Sequence, residues 1–430
     1  MEFQRIENKL LDESYRFFVH KSGLKVFYTE KNFRTTYAIL GVRFGAANEV
    51  VPVNGKPLPT GCAHFLEHKM FENPDGEDTF LKFSRIGANA NAYTCHERTC
   101  YLFTASKEVE EGLRILLESV FTPYFTDANV RKEKGIIAEE INMYRDDPGD
   151  ALYKALLGCL YQNDFMKRNI CGTVRSIKAI SKDDLYTAYR QYYRPDNMVL
   201  SICGHCDLKK LEALLDELLE KQETSSKIEA LRLKDEPLFV HRASSRLYRD
   251  ISTPMAGIGI KIPPFSGDPK EGLARFAQLC LLTQVLFSDS SALSSVLKEK
   301  NLIPEDPAHE ITDRAAFSHI LFFADTYDPT ALFREFKKQT DRILKHGIDP
   351  KDFTRAKRVL FAEHLEEFNS TEECACRYLD DALDGCEHID YAKILSELRL
   401  EEVNALARAV LKPERICKCR ILPYPKQNDS

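Results

Sequence analysis

The sequence contains no run of about 18 consecutive apolar residues, the length that a helix needs to cross a bilayer. We therefore expect no membrane span.

The chain also lacks a large charge of one sign, because its formal net charge is only -6 over 430 residues. That charge gives no reason to expect nucleic acid or an anionic membrane as the main partner. Residues 1–7 lack the basic and apolar regions of an export signal, which predicts a cytoplasmic protein.

The cysteine content does not resemble a disulfide framework. The chain has 13 cysteines, an odd number, spread over its whole length. In a protein without an export signal, such a set indicates reduced thiols. Hydrophobic residues make up 43% and charged residues 29%, the balance of a folded globular protein. A chain of 430 residues exceeds the size that one hydrophobic core ordinarily serves, so we expect at least two domains.

The same order of predicted elements appears in both halves of the chain: paired strands, a helix, paired strands, helices and a closing strand. In the first half the residue patterns predict strands at 25–28, 37–44, 91–94, 99–103 and 197–202, and helices at about 60–71, 106–120, 127–146, 181–193 and 207–221. In the second half they predict strands at 246–252, 256–262, 307–312, 317–325 and 416–422, a helix at 269–287 and four helical segments over 329–411.

A polar segment at 223–237 is typical of a linker. It divides the chain into a first domain at 1–222 and a second domain at 238–430. Because the two halves repeat one order of elements, we predict two α+β domains of similar topology.

One helical segment carries a metal-binding pattern. His64 and His68 are four residues apart, so on the predicted helix, with Thr60 as its N-cap, both imidazoles lie on one face and can reach one ion. Glu67 flanks that face, where its carboxylate can accept a proton from a metal-bound water. This HxxEH order is the pattern of one class of zinc peptidases. The alternative is a chance or purely structural cluster, but a buried His-Glu-His group without a metal is costly.

A catalytic zinc site needs a third protein ligand. Glu133 and Glu140 are seven residues apart on the predicted helix 127–146 and project from nearly the same side. Ile137, Ile141 and Tyr144 share or border that side. We predict Glu140 as the third ligand, and Glu133 either as a further active-site carboxylate or as a carboxylate that orients a ligand. Glu139 is turned away and is expected in solvent. The alternative for Glu133 is an ordinary solvated residue, since glutamate-rich helices are common on protein surfaces.

Four segments together resemble the pitrilysin/insulinase (M16) family of zinc metallopeptidases over nearly the whole chain. They are residues 60–72, which contain the HxxEH pattern, residues 87–94 with Thr99 and Tyr101, residues 133–141, and residues 172–177 with 193–198. The resemblance is to bacterial, YfmH-like members of about this length, which are related to the mitochondrial processing peptidase subunits. It implies two LuxS/MPP-like α+β domains that form a clam-like pair, each with a mixed or antiparallel sheet and helices packed on one face.

For the site, the resemblance implies one Zn²⁺ per chain held by His64, His68 and Glu140, with Glu67 as general base and Glu133 as a further catalytic carboxylate. It also implies that Asn91, Ala92, Tyr93 and Thr94 form a substrate-side strand, to which an extended peptide adds by main-chain hydrogen bonds. Ordinary pairing inside the core is the alternative for this strand, because substrate binding needs an exposed sheet edge.

The expected function is zinc-dependent endopeptidase activity on peptides or on leader-like and presequence-like segments. Family members also carry a substrate-binding Arg and Tyr in a later domain, and neither Arg377-Tyr378 nor Tyr327 matches that context. The pair could therefore come from a homologous subunit that lacks HxxEH, in a heterodimer, and a homodimer is the other arrangement. The alternative function is a weakly active or non-proteolytic partner or maturation factor, which the YfmH-like resemblance links to modification of elongation factor P.

Overall fold

The computed structural model describes residues 3–163, 165–219, 236–265, 267–384 and 391–425. The chain divides into two compact units, and each contains one β-sheet. Unit 1 draws on Met1–Asn142, Arg168–Leu231 and Leu365–Asp390, and unit 2 draws on Met143–Lys167, Arg232–His364 and Tyr391–Ser430. The predicted linker at 223–237 lies almost wholly outside the described residues, so its boundaries stay a prediction.

The strands lie close to their predicted places, with two additional strands at the start of the chain. Those of unit 1 are β1 (Gln4–Asn8), β2 (Glu13–Val19), β3 (Lys25–Glu30), β4 (Thr36–Val42), β5 (Asn89–Thr94), β6 (Thr99–Ala105) and β7 (Met198–Gly204). Those of unit 2 are β8 (Ser244–Arg249), β9 (Met255–Ile262), β10 (Ala308–Asp313), β11 (Ser318–Asp325) and β12 (Ile416–Pro423).

The helices include several that the residue patterns did not predict. In chain order they are α1 (Cys62–Lys69), α2 (Thr79–Arg85), α3 (Val109–Phe121), α4 (Asp127–Asp146), α5 (Pro148–Leu160), α6 (Val174–Ala179), α7 (Lys182–Tyr192), α8 (Leu208–Leu219), α9 (Pro269–Phe287), α10 (Ala292–Glu299), α11 (Pro329–His346), α12 (Pro350–Glu367), α13 (Thr371–Asp384), α14 (Tyr391–Glu397) and α15 (Leu400–Val410). The prediction of four helical segments over 329–411 was wrong, because the described part of this stretch holds five helices, α11 to α15.

The seven-stranded sheet of unit 1 has the order β1-β2-β3-β7-β4-β6-β5. Its central strands β4 and β7 are buried along their whole length, so both faces of the sheet are covered. One face packs on the main core, to which α1, α3, α7 and α8 contribute. The other face packs on α13. Gly41 in β4 permits this close packing, since a Cβ there would lie 3.0 Å from the methyl groups of Leu379.

The five-stranded sheet of unit 2 has the order β10-β11-β9-β12-β8. Helix α9 supplies much of the core of this unit. Helix α5 packs on β9 and β12, where Gly257 and Gly259 leave room for its leucines. Each sheet therefore takes one helix from the other half of the sequence. The predicted α+β class, with two units built from sheets and helices, is confirmed.

One stretch of unit 2 has the composition of a membrane helix. Residues Pro269–Glu299 reach a mean hydropathy of 1.3 over an 18-residue window, but 67% of that window is buried inside the protein. A buried core helix passes the same test of length and composition, so this single stretch is weak evidence for a membrane span. All twelve cysteines in the described residues are free thiols.

Candidate metal centre

The helix that carries the HxxEH pattern begins with an unusual cap. Helix α1 starts at Cys62, and its N-cap is Gly61 with a φ of 92°, a left-handed conformation that favours glycine. The prediction of Thr60 as the N-cap was wrong, because a side chain from elsewhere caps the helix. The buried carboxylate of Glu49 accepts hydrogen bonds from the backbone N–H of Gly61 at 3.1 Å and of Ala63 at 2.9 Å. Burial raises the pKa of Glu49 to about 8, although these amides act in the opposite direction.

The structure brings three of the predicted residues together. His64 Nε2 lies 3.5 Å from Glu140 Oε1, and His68 Nε2 lies 3.4 Å from Glu140 Oε2. One ligand atom from each of these three residues can be chosen so that all lie within 4.8 Å of one another, and no other such group occurs in the described residues. The helix spacing of the two histidines and the inward face of α4 together produce this arrangement.

These distances fit a divalent ion. Two ligand atoms that are each about 2.1 Å from one tetrahedral zinc are about 3.4 Å apart, which matches the two nitrogen–oxygen distances above. Two imidazoles and one carboxylate form a donor set used by catalytic zinc sites, which leave a fourth position open. His64 is 6% exposed and its Nδ1 has no hydrogen-bond partner in the protein. The residues present therefore fit a zinc ion. The contacts of the Glu140 carboxylate with the two imidazoles lie where bonds to the ion would form.

Glu133 contacts the far side of one imidazole. Its Oε1 lies 3.0 Å from His68 Nδ1, and the residue is only 6% exposed. This contact leaves His68 Nε2 directed toward Glu140, which is the usual way in which a carboxylate fixes the tautomer of a metal-binding histidine. Burial acts to lower the pKa of His68, but its hydrogen bonds to Glu133 and Glu140 outweigh burial and raise the pKa to about 9. Hydrogen bonds from His64 and His68 lower the pKa of Glu140 to about 2.

The face of α4 matches the prediction in part. Val130, Glu133 and Ile137 are the buried residues of the helix, and Glu139 is exposed as expected. Tyr144, which was placed at the border of the buried face, is instead 39% exposed. It lies in the last turn of α4, which ends at Asp146.

Glu67 points to the sheet of unit 1. The hydroxyl of Thr94 donates a hydrogen bond to Glu67 Oε2 at 2.5 Å, and that hydroxyl also lies 3.3 Å from the hydroxyl of Thr99. Behind them, the phenol groups of Tyr101 and Tyr193 contact each other at 2.7 Å in the buried core. Glu67 is thus oriented by a side chain of β5, a strand that sequence reasoning connected only with substrate.

The strand that holds Asn91, Ala92, Tyr93 and Thr94 lies at the edge of its sheet. Strand β5 pairs with β6 on one side, and no described strand pairs with its other side. Its residues alternate between exposed and half-buried, and the Tyr93 side chain is 39% exposed. The exposed edge that peptide addition requires is therefore present beside α1.

Two of the three Arg and Tyr residues singled out in the second half contact other parts of the protein. Tyr378 is 3% exposed and packs in the core of unit 1, with its ring centroid 4.6 Å from that of Tyr15. Arg377 Nη2 pairs with Glu367 Oε1 at 2.6 Å. Tyr327 is 61% exposed. These three residues therefore do not identify a substrate-binding Arg–Tyr pair.

Two residues beside the site were not found from the sequence. Glu49 caps α1 from twelve residues upstream of Gly61, and only the fold brings the two together. Cys171 lies with its Sγ 3.8 Å from His64 Nε2, in a turn where Gly172 has a φ of 75°. The only sequence signal for either residue was its place in a segment rich in turn-forming residues.

The fold has two α+β units and a candidate metal centre in the first of them, and comparisons with known proteins give the family. The model of insulinase (peptidase family M16) matches residues 28–174, and that of the peptidase M16 inactive domain matches residues 179–360. The uncharacterized zinc protease YmfH of Bacillus subtilis is 32% identical over 98% of this chain and 99% of its own. The human mitochondrial-processing peptidase subunit beta is 29% identical over 43% of this chain and 37% of its own.

The solved structures agree with the sequence relatives. An M16-like peptidase from Alicyclobacillus acidocaldarius superposes with a TM-score of 0.90 at 27% identity, covering 98% of this chain and 99% of that one. A protease from Helicobacter pylori has the same fold, with a TM-score of 0.83 at 20% identity over 96% of this chain and all of that one. The chain belongs to the M16 (insulinase) family of peptidases, which confirms the resemblance stated from the sequence.

Proposed function

We propose that this chain is a zinc-dependent endopeptidase whose metal ligands are His64, His68 and Glu140. The observation that carries the proposal is the approach of both imidazole Nε2 atoms to the two oxygens of Glu140, at 3.5 Å and 3.4 Å. The family membership supports it, since relatives over the whole chain are named zinc proteases.

A bound zinc ion would polarise the scissile carbonyl and lower the pKa of a coordinated water. Glu67 would accept a proton from the attacking water and deliver it to the leaving amine. The hydrogen bond from Thr94 to Glu67 Oε2 leaves Glu67 Oε1 as the oxygen that exchanges this proton. Glu133 holds His68 through its Nδ1, so it assists the reaction by fixing a ligand and does not touch the substrate.

The proposed substrate is an extended peptide, such as a leader or presequence segment. Such a chain can pair with the exposed edge of β5, using the main-chain groups of Asn91, Ala92 and Tyr93. Two features support this placement: β5 is an edge strand, and Thr94 of the same strand contacts Glu67. A peptide on this edge therefore runs beside the residue that moves the proton.

We also propose that the working form contains a second subunit. Arg377, Tyr378 and Tyr327 do not identify the Arg–Tyr pair that the family resemblance implies, so a homologous subunit without HxxEH is the preferred source, in a heterodimer. A homodimer is the alternative. The relation to a processing peptidase subunit supports the heterodimer.

The test compares Glu67→Gln with Glu139→Gln, a matched change of an exposed glutamate on α4. Both proteins are incubated with a pool of peptides, with and without a chelator, and alone or with a homologous subunit that lacks HxxEH. We expect Glu67→Gln to keep its zinc but to lose about 10²- to 10⁴-fold of the cleavage rate, and Glu139→Gln to behave as wild type. Unchanged cleavage by Glu67→Gln would contradict the proposal, and no chelator-sensitive cleavage under any condition would favour the non-proteolytic maturation role.

A further inference from the structure

Unit 2 contains a cluster of three thiols that the proposed peptidase site does not use. Cys159 belongs to α5, and Cys417 and Cys419 belong to β12. All three are at most 1% exposed. The Sγ atoms of Cys159 and Cys419 are 3.6 Å apart, and Cys417 forms a further side-chain hydrogen bond with Cys159.

The local sequence explains why the thiols meet. Alternate residues of a strand point to the same face, so Cys417 and Cys419 both face α5. Gly259 and Gly257 are their neighbours on β9. A Cβ at Gly257 would lie 2.8 Å from Leu156 Cδ1, and one at Gly259 would lie 3.1 Å from Leu160 Cδ2. The absence of side chains at these two positions lets α5 lie close enough for Cys159 to reach β12.

The chemistry of the cluster favours one cysteine as the nucleophile. Hydrogen bonds from Cys417 and Cys419 lower the pKa of the Cys159 thiol against the effect of burial, and Arg242 and His241 act in the same direction. A thiolate is the form that reacts with peroxide or with a second sulfur. The pair formed by Cys203 and Cys374 in unit 1 differs, because the pKa of Cys203 is raised by its neighbour and by burial.

We propose that Cys159 and Cys419 are an oxidisable pair that hydrogen peroxide converts into a disulfide between α5 and β12. The Cys159 thiolate attacks one peroxide oxygen, the O–O bond breaks, and hydroxide leaves, which gives a sulfenic acid at Cys159. The Cys419 sulfur then attacks the Cys159 sulfur, the S–O bond breaks, and water leaves. In sum, two thiols and one peroxide give one disulfide and two waters. The two sulfur atoms, now 3.6 Å apart, must approach to the roughly 2.05 Å of a disulfide bond, and rotation of the two side chains would supply this movement.

The bond would join two segments that are far apart in sequence. Residues 159 and 419 enclose most of the second half of the chain, and such a link restricts the unfolded state. Oxidation should therefore raise the unfolding temperature of unit 2. Because the thiols are buried, peroxide reaches them only through local opening, so the reaction should be slower than that of an exposed thiol.

The experiment treats the full-length, zinc-loaded protein with hydrogen peroxide, blocks the remaining thiols with N-ethylmaleimide and maps tryptic peptides by mass spectrometry. Trypsin cuts after Lys154 and Lys167 around Cys159, and after Arg415, Lys418 and Arg420 around the other two cysteines. Because Lys418 lies between Cys417 and Cys419, the two partners fall in different peptides. The mapping therefore assigns the link without any variant.

We expect the peptide 155–167 to be joined to 419–420, and dithiothreitol to separate them again. Cys417→Ala should keep this link, and Cys159→Ala should leave Cys419 reduced. The proposal is overturned when Cys159 remains reduced while other thiols oxidise, when it appears only as sulfinic or sulfonic acid, or when it is joined to any cysteine other than Cys419. None of these results depends on peptidase activity, so a negative result would not count against the proposed metal site.

Discussion

The helix that follows the opening strands differs between the two units. In unit 1 this helix is α1, which has eight residues and carries His64, Glu67 and His68 on one side. In unit 2 it is α9, which has 19 residues and buries a nearly continuous apolar surface. The described residues of unit 2 contain no group of three or more His, Cys, Asp or Glu residues whose ligand atoms all lie within 4.8 Å of one another. The same order of elements thus supports either a candidate site or a core, and the side chains decide which.

The manner in which each helix begins shows the same contrast. Helix α9 has an ordinary N-cap, because the Asp268 side chain accepts a hydrogen bond from the backbone N–H of Lys270. Helix α1 has a glycine N-cap and takes its acceptor from the buried Glu49. A buried carboxylate is more costly than an exposed cap. Unit 1 therefore uses the more costly cap at the helix that carries the candidate metal ligands, and this difference can be tested.

The largest effect is expected from removing a ligand of the candidate site. Glu140→Gln should reduce zinc affinity by more than the roughly 10- to 100-fold that follows loss of a residue that only orients a ligand. The amide of glutamine is neutral and cannot supply the carboxylate charge. Affinity is measured by competition with a chromophoric chelator, with Glu139→Gln as the control. Equal zinc affinity in the two variants would mean that Glu140 is not a ligand.

The second effect tests the close packing of a helix on a strand glycine, a feature that the two units share. Leucine at Gly41 or at Gly257 should destabilise the protein by about 1–3 kcal/mol or more, because the new side chain overlaps Leu379 in unit 1 or Leu156 in unit 2. Chemical unfolding measures the change. Gly158→Ala is the control, since no atom lies within 4 Å of its Cβ position in α5, and this change should stabilise the helix by about 0.5–1 kcal/mol. Wild-type stability in either leucine variant would show that its helix does not lie close on the sheet.

The third effect separates a ligand from the residue that orients it. Glu133→Gln should weaken zinc binding by about 10- to 100-fold, because a neutral amide holds His68 Nδ1 less firmly than a carboxylate. The loss should be smaller than that of Glu140→Gln, and chelator competition measures both. A greater loss from Glu133→Gln than from Glu140→Gln would reverse the roles assigned to these two residues.

The last comparison concerns the buried cap of α1, where the effect is spread over several pH units. The folded-state pKa of Glu49 is raised to about 8, whereas an unfolded glutamate titrates near 4.3. The folded state therefore holds a proton that the unfolded state has lost between these values, and stability should fall as pH rises from about 4.5 to about 8. The free energy of unfolding should change by at most about 1.4 kcal/mol per pH unit from this group.

Glu49→Gln should remove this contribution to the pH dependence. Unfolding of the metal-free wild type and variant is compared from pH 5 to pH 9, so that all other titrating groups cancel. We expect the two proteins to be closest in stability at pH 5 and the variant to gain relative to wild type as pH rises. Parallel curves would mean that the backbone amides around Glu49 outweigh its burial.

Some parts of the site could be predicted from the sequence because they depend on helical spacing alone. His64 and His68 share a face at any place in a regular helix, and Glu133 and Glu140 share a face of α4. The cap of α1 could not be predicted, because Glu49 lies outside the helix and the sequence offered Thr60 as a nearer cap. The contact of Thr94 with Glu67 also depends on the packing of β5 against α1, which no local pattern shows.

The sequence alone determined most of the strands, the longer helices, the polar face of α1 and the family resemblance, since these follow from periodicity and from residue types at fixed spacing. The tertiary structure decided which helix covers which sheet. Helices α5 and α13 each join a sheet of the other half of the chain, because a glycine on a central strand offers room there. Such pairings depend on the fit of surfaces that are hundreds of residues apart, and a local pattern carries no information about that fit.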